Sequence, residues 1–327
     1  KRIVTLAGVQ LKMERLSQNN FIYFLVILLV VLVVFSQSIF FGYIHLDEDI
    51  LVTGNSYFYK SNSAITEIFK HNAYYPTGTT AYYRPFYVLS FMADTYLGGL
   101  PWMFHTTNVI LHAVASFLVF TFIKKLQTLG QGKNNVSSGN IALFLSLIFL
   151  VHPIVTQAVS WIPARGDILL AIFLLLSAIC FSDYLLKQKS KHLIGHLFFL
   201  FLALFSKETA FVSPVFFILY LYLFSDKRLF NRTNTILLSG WIAVSILWFW
   251  LRQNAISSAG IEDTSFVKIL GIVSNNISAI PLYVGKMLLP INMSVFPLLK
   301  DSSLIYGLVT MGIISFYAVW NRSGLTK

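Results

Sequence analysis

The sequence predicts an all-α polytopic membrane protein: a multi-span helical bundle with long non-cytoplasmic loops and short re-entrant or interfacial helices. Hydrophobic residues make up 56% of the chain and charged residues only 11%. Apolar runs of about 15–24 residues, the length scale of a bilayer crossing, recur along the whole sequence. The acidic triplet Asp47-Glu48-Asp49 follows directly on the apolar segment 21–44. Unpaired carboxylates do not reside in hydrocarbon, so the triplet marks a site in the aqueous boundary layer. Residues 1–327 read as one transmembrane domain and, opening on Lys1 without Met, as a fragment with a missing continuation. The single cysteine, Cys180, lies in an apolar run and excludes an intramolecular disulfide framework.

Lys1, Arg2, Lys12 and Arg15 precede the first span, which places the N-terminus in the cytoplasm. That span is too long for a signal-peptide core and reads as a retained anchor. A polar and aromatic loop follows, then apolar segments at 86–97 and 105–123, then Lys124, Lys125 and Lys133. This second basic cluster is again cytoplasmic, so 86–97 reads as a re-entrant or interfacial piece rather than a crossing. Segment 140–151 then runs outward, 168–186 returns to Lys187, Lys189 and Lys191, 193–206 goes out, and 210–224 returns to Lys227, Arg228 and Arg232. Segment 235–251 goes out again. The stretch 269–289 carries Asn275, Asn276, Pro281 and Lys286 and reads as either a poor span or an interfacial helix; the interfacial reading is favoured, since 303–320 then brings Arg322 and Lys327 inside. The net charge of +11 resides largely in short loops between apolar spans, a distribution that argues against nucleic acid as a partner.

With this topology Asp47, Arg84, His105, His152, Arg165, Asp167, Lys207 and Glu208 all face away from the cytoplasm, on the periplasmic or lumenal side. A secondary transporter more often places ionisable residues at the midplane, on broken helices of two repeated halves. Neither feature is present, nor is an internal repeat at 20–50 residues.

Carboxylates just outside a membrane helix accept a proton from an acceptor hydroxyl or hold a divalent cation, and a carboxylate partly desolvated beside another is a better base. A solvated stop signal after the span is the plainer alternative. In Tyr82-Tyr83-Arg84-Pro85-Phe86 the proline holds Arg84 off the helix, at the mouth of the next apolar segment. There a guanidinium grips a phosphate through two parallel hydrogen bonds, or snorkels onto ordinary lipid headgroups. Tyr74, Tyr75, Tyr82, Tyr83 and Tyr87 read as an interfacial aromatic belt. His105, Asn108 and His112 share one helix face, but two turns separate the histidines, too far for two ligands of one ion. Asn108 and His112 read as polar packing between helices, and His105, at the outer end, as a substrate contact. Arg165 and Asp167, after a proline-rich interruption, either pair to seal the loop or bind a phosphate and a sugar hydroxyl. Lys207-Glu208, between two apolar runs, is either an internal ion pair or a lysine on a phosphate with the glutamate holding it.

The order Asp47-Glu48 with Asn55, Tyr83-Arg84-Pro85, His105 with Asn108 and His112, His152-Pro153, Ala164-Arg165-Gly166-Asp167 and Ser206-Lys207-Glu208 resembles the membrane region of the transmembrane and tetratricopeptide-repeat-containing (TMTC-like) O-mannosyltransferases and their bacterial relatives, of the GT-C class. Pro290-Ile291-Asn292-Met293-Ser294 resembles that family's later proline-containing segment. The resemblance implies a GT-C-like domain that transfers a sugar, with inversion, from a polyprenyl-phosphate carrier to a hydroxyl of a protein or glycan acceptor. It implies Asp47 as general base and Glu48 as the residue that orients the acceptor or tunes Asp47, with Asp49 beside them as a substrate-binding residue. Arg84, Arg165 and Lys207 are then the candidates for the leaving phosphate, with His105, Asp167 and Glu208 in support. Metal dependence is left open, and no metal ligands are assigned. The competing class is a non-enzymatic lipid or glycolipid transporter, or an assembly subunit, that binds headgroups with the same charges.

Overall fold

The computed structural model describes residues 20–131, 136–224, 232–256, 271, 274–291, 293 and 303–320. No strand occurs among them. Four helices among the described residues are long and apolar enough to cross a bilayer: Asn20–Phe40, Pro101–Gln127, Ile162–Lys187 and Arg232–Ile256. With shorter apolar helices at Ser190–Ser206, Glu208–Tyr222 and Leu304–Tyr317, they make the protein an integral membrane protein of the all-α class. Large side chains such as Leu29, Val33, Phe144, Phe216, Ile246 and Trp250 stay exposed on these helices. A helix apolar on all sides presents such a face to lipid.

The described residues cluster into two compact units, one made of Lys1–Val151 with Ala158–Ile261, the other of His152–Gln157 with Glu262–Lys327. The basic residues Lys1, Arg2, Lys12, Arg15, Lys133, Lys227, Arg228, Arg322 and Lys327, on which part of the orientation reading rests, lie outside the described residues, as do Asn292 and Ser294.

In the larger unit, α1 (Asn20–Phe40) leads into a long ordered loop carrying a one-turn π-helix at Asp49–Thr53, a short helix at Ser56–Tyr59 and α2 (Ala64–Lys70). The loop has its own core, in which Leu51, Val52, Tyr59, Ala64 and Ile68 pack against Val88, Phe91 and Phe104. It is closed by hydrogen bonds from Tyr59 Oη to the Leu51 carbonyl at 2.6 Å and from Thr77 Oγ1 to the Ile50 carbonyl at 3.0 Å. α3 (Pro85–Tyr96) begins with proline at its first position, where the missing N–H costs nothing. Its 12 residues fall short of the roughly 20 a crossing needs, in line with the re-entrant or interfacial expectation.

α4 (Pro101–Gln131) packs against α5 (Val136–Val151) and α6 (Arg165–Lys187). A left-handed Gln188 (φ 50°) ends α6, and α7 (Ser190–Ser206) folds back along it as the second arm of a hairpin. This hairpin sets the start of α6 beside the end of α7. α8 (Ser213–Phe224) and α9 (Arg232–Ile256) complete the unit, with Phe181, Leu200, Phe217, Leu237 and Trp241 at their shared core. At the far end of α4 and α6, Asp183 pairs with Lys125 and Lys187, each at 2.7 Å, and Lys124 donates to Asn20 Oδ1 at 2.8 Å. Eighteen residues of helical rise separate Arg165 from Asp183, about 27 Å. The basic cluster and the residues discussed below therefore occupy opposite ends of one bundle.

In the smaller unit α10 (Ala279–Leu288) packs on α11 (Leu304–Trp320) at a glycine crossing. A Cβ on Gly307 would collide with the Pro281 carbonyl oxygen, and one on Gly285 would lie 2.8 Å from the Gly307 nitrogen. Small residues permit such backbone contact between apolar helices. Gly307→Ala is expected to destabilise this unit by about 1–3 kcal/mol. Gly312→Ala, on the same helix with nothing within 4 Å of its added Cβ, is expected to be silent. Thermal unfolding of the two variants in detergent checks the pair. His152 opens a 3-10 turn in this unit, where its Nδ1 accepts from the Ile154 N–H at 3.2 Å.

Candidate active site

The three carboxylates of the triplet have three different surroundings. Glu48 is buried at 1% exposure and accepts the Leu46 N–H on Oε2 at 3.2 Å. Asp49 is exposed and turns back to His45 Nδ1 at 3.0 Å and to Thr53 Oγ1 at 3.3 Å. Asp47, half-buried, faces the site through Tyr74, whose hydroxyl it pushes up electrostatically. The π-turn at Asp49–Thr53 and a left-handed His45 (φ 60°) splay the triplet in this way. A non-glycine residue at positive φ is strained, and such strain clusters at functional sites. Among the described residues no three His, Cys, Asp or Glu side chains converge in a metal-ligand group.

Arg84 caps the N-terminus of α3 with φ −134° and ψ 61°, outside the helical region, as Pro85 requires. Its guanidinium lies over the Tyr82 ring at 4.1 Å and 5.8 Å from the Tyr87 ring. The edge of the fork is filled by Glu208, with Nε to Oε2 at 2.8 Å and Nη2 to Oε1 at 2.6 Å. Burial works against the charge on both partners, but their mutual hydrogen bonds and attraction win. Arg84 is held above its ordinary value and Glu208 below its own. Lys207 leaves α7 in an extended conformation (φ −159°, ψ 132°) and donates to Asp167 Oδ1 at 2.5 Å, across the α6–α7 hairpin.

Arg165 is 0% exposed. Its Nε donates to Asn108 Oδ1 at 2.6 Å, its Nη1 to the Ser90 carbonyl at 3.0 Å and Oγ at 3.3 Å, and its Nη2 to the Phe104 carbonyl at 2.9 Å. Nη2 also pairs with Asp94 Oδ2 at 2.6 Å, and Asp94 Oδ1 accepts from Thr107 at 2.7 Å. One guanidinium thereby ties α3 and α4 to the start of α6.

This corrects several sequence-based expectations. Neither Arg165 with Asp167 nor Lys207 with Glu208 forms an ion pair; the partners are Asp94, Lys207 and Arg84 instead. Residues one or two apart do not face each other at a helix end, so cross-chain partners take them. As the structure places it, Arg165 has no donor left for a leaving phosphate and is a positioning residue. Tyr83 and Tyr87 are not belt residues: both are buried, with hydroxyls donating to the carbonyls of Phe69 (2.9 Å) and Pro163 (2.7 Å). Asn108 and His112 pack between helices as expected, Asn108 donating to the Val159 and Trp161 carbonyls and His112 lying 3.0 Å from the Leu150 carbonyl. His105 is 2% exposed, edge-on to Phe41 with the Gly42 backbone beside it, and is thus buried rather than open to a ligand.

Asp94 was the residue the sequence reading missed, although a lone carboxylate inside the apolar segment 86–97 was the available signal. Tyr74 and Tyr87 were also missed as members of the site. Burial raises the Tyr74 hydroxyl first, and Asp47 and Tyr82 raise it further while Arg84 opposes. Tyr87 is raised well above its ordinary value by burial, with Arg84 and Arg165 pulling it down and Tyr74 and Asp47 pushing it up. Asp47 and Arg84 therefore act on the same two hydroxyls, which brings residues 47, 74, 84 and 87 together.

No family model matches the chain, and no solved structure matches it. The protein O-mannosyl-transferase TMTC2 of Homo sapiens is 38% identical over 109 residues, 33% of this chain and 12% of the relative. TMTC4 of Mus musculus is 37% identical over 101 residues, 29% of this chain and 14% of the relative. Tmtc1 of Drosophila melanogaster is 32% identical over 135 residues, 41% of this chain and 15% of the relative. The matched stretch thus spans less than a sixth of the length of these relatives. Over about a third of its residues, the chain is similar to the TMTC protein O-mannosyl-transferases.

Proposed function

We propose that the chain is a GT-C-type inverting glycosyltransferase that moves a sugar, mannose by kinship with its relatives, from a polyprenyl-phosphate carrier to an acceptor hydroxyl of a protein or glycan on the non-cytoplasmic face. The observation that supports this reading is the Arg84 guanidinium lying 4.1 Å from the Tyr82 ring and 5.8 Å from the Tyr87 ring, with Asp47 and Arg84 both acting electrostatically on the Tyr74 and Tyr87 hydroxyls. An entering hydroxyl needs a base and a departing phosphate needs cations, and the two requirements meet there. Asp47 takes the acceptor proton, buried Glu48 fixes the turn that presents it, and Arg84 and Lys207 receive the phosphate. Asp49, bonded to His45 and Thr53, shapes the rim.

An apolar groove of about 420 Å³, lined by Val119, Phe149, Leu174, Ala178, Phe216 and Phe217, supports a lipid-borne donor. The groove runs along α4, α6 and α8: Ser213, which directly follows the 3-10 turn beginning at Glu208, lines it, and so do Leu126 and Ser182, the chain neighbours of Lys125 and Asp183.

The test is transfer of radiolabelled mannose from polyprenyl-phosphate mannose to a hydroxyl acceptor by membranes containing the protein, with and without chelator. Binding of the donor without covalent transfer would move the protein to the lipid-transporter class. Arg84→Ala is expected to raise the KM for the donor about tenfold or more, the cost of losing a bidentate charge-assisted contact, while acceptor preference stays unchanged. An unchanged donor dependence would return Arg84 to lipid-headgroup binding.

A further inference from the structure

We propose that Arg84 and Lys207 form a site for a phosphate ester whose resting occupant is this chain's own Glu208, so that this carboxylate competes with the incoming phosphate instead of assisting it. The inference rests on the reading of this end of the bundle as the donor site. Glu208 meets Arg84 fork to fork, through Nε and Nη2, which is the geometry a phosphate adopts on a guanidinium. Arg84 does not need Glu208 for its orientation, because Pro85 sets its backbone and the Tyr82 ring holds its plane. What Glu208 occupies is the hydrogen-bonding edge.

The contrast with Arg165 separates an exchangeable pair from a permanent one. Asp94 is 4% exposed and closed in among helices, whereas the side chains of Glu208 and Arg84 are 29% and 15% exposed. Glu208 also begins a 3-10 turn directly after extended Lys207, so a rotation at that junction withdraws the carboxylate without moving a long helix. Lys207 is neutralised in the same manner by Asp167, whose side chain is 47% exposed. The cations are thus held neutral at rest, and a phosphate ester enters by exchange.

A site that is free in only a fraction of molecules has its apparent affinity reduced by that fraction. If Glu208 fills the fork in about nine molecules of ten, removing its charge raises phosphate affinity about tenfold. The experiment measures binding of a short-chain isoprenyl phosphate to the full chain in nanodiscs. Glu208→Gln is expected to bind it about tenfold more tightly, and Glu208→Asp, too short to span the fork, to show an intermediate gain. Arg84→Gln is expected to bind more weakly, and the double variant Arg84→Gln/Glu208→Gln no more tightly than Arg84→Gln alone. Parallel titrations with inorganic phosphate and phosphatidylglycerol identify the source: a gain confined to the isoprenyl ester points to a carrier lipid, and an equal gain with either of the others to phosphate chemistry alone or to bulk headgroups. Equal or weaker binding by Glu208→Gln, or no binding of any phosphate by either protein, overturns the inference. Because sugar transfer is not the readout, a tenfold gain in a protein that transfers no sugar retains the Glu208 competitor and removes only the enzyme reading.

Discussion

Membranes carrying Asp47→Asn are expected to transfer sugar about 10²–10⁴ times more slowly than those carrying the unaltered chain, with the protein present in equal amount and equally stable. The amide keeps the shape of the side chain but cannot take a proton from an acceptor hydroxyl. Asp47 is half-buried and pairs with no cation among the described residues, so its replacement orphans no charge there. The two neighbours provide controls. Asp49→Asn disturbs only an exposed contact with His45 and is expected to retain most of the activity. Glu48→Gln alters a residue that is 1% exposed and is expected to act mainly through stability. Normal transfer by Asp47→Asn membranes would remove Asp47 from the mechanism.

The largest effect on stability is expected at the Arg165–Asp94 pair. Removing either partner, as Arg165→Met or Asp94→Leu, leaves an uncompensated charge in a closed apolar setting and is expected to cost about 3–5 kcal/mol. Replacing both is expected to recover part of that loss, since the desolvation of two charges disappears together with their attraction. Recovery stays partial because Arg165 also donates to Asn108 Oδ1 and gives the Ser90 and Phe104 carbonyls a second hydrogen bond, donors that the double variant removes. Thermal unfolding in detergent of the two single variants and the double variant reads this directly. A phosphate-binding Arg165 predicts the reverse pattern, with an unchanged melting temperature and a selective loss of donor affinity. The pair also sets the site: Arg84 precedes α3, which carries Tyr87, α6 carries Asp167, and the brace from Arg165 to Ser90, Asp94 and Phe104 fixes where those helices meet.

Fold class was legible because hydrocarbon imposes one strong rule, that backbone polar groups be satisfied within each segment, and long apolar helices follow from it. Runs 168–186 and 235–251 accordingly reappear as the cores of α6 and α9, each a few residues longer at its ends. The effect of Pro85 on Arg84 was legible for a similar reason, being a local steric constraint. Pairing was not. Charges adjacent in sequence, such as Lys207 and Glu208, invite a local ion pair, yet the hairpin of α6 and α7 presents Lys207 to Asp167, and the packing of α3 presents Arg84 to Glu208.

By itself the sequence determined that this chain is helical and membrane-embedded, and which side chains carry charge at the ends of its apolar segments, because solvent and local sterics decide those properties residue by residue. Only the tertiary structure decided which charge meets which: that Asp47 alone of the triplet turns toward Tyr74, that Arg165 is consumed by Asp94, Asn108 and three contacts to Ser90 and Phe104, and that Glu208 sits in the fork of Arg84. Ion pairing depends on the separation and burial of groups up to 124 positions apart, and that geometry exists only once the helices have packed.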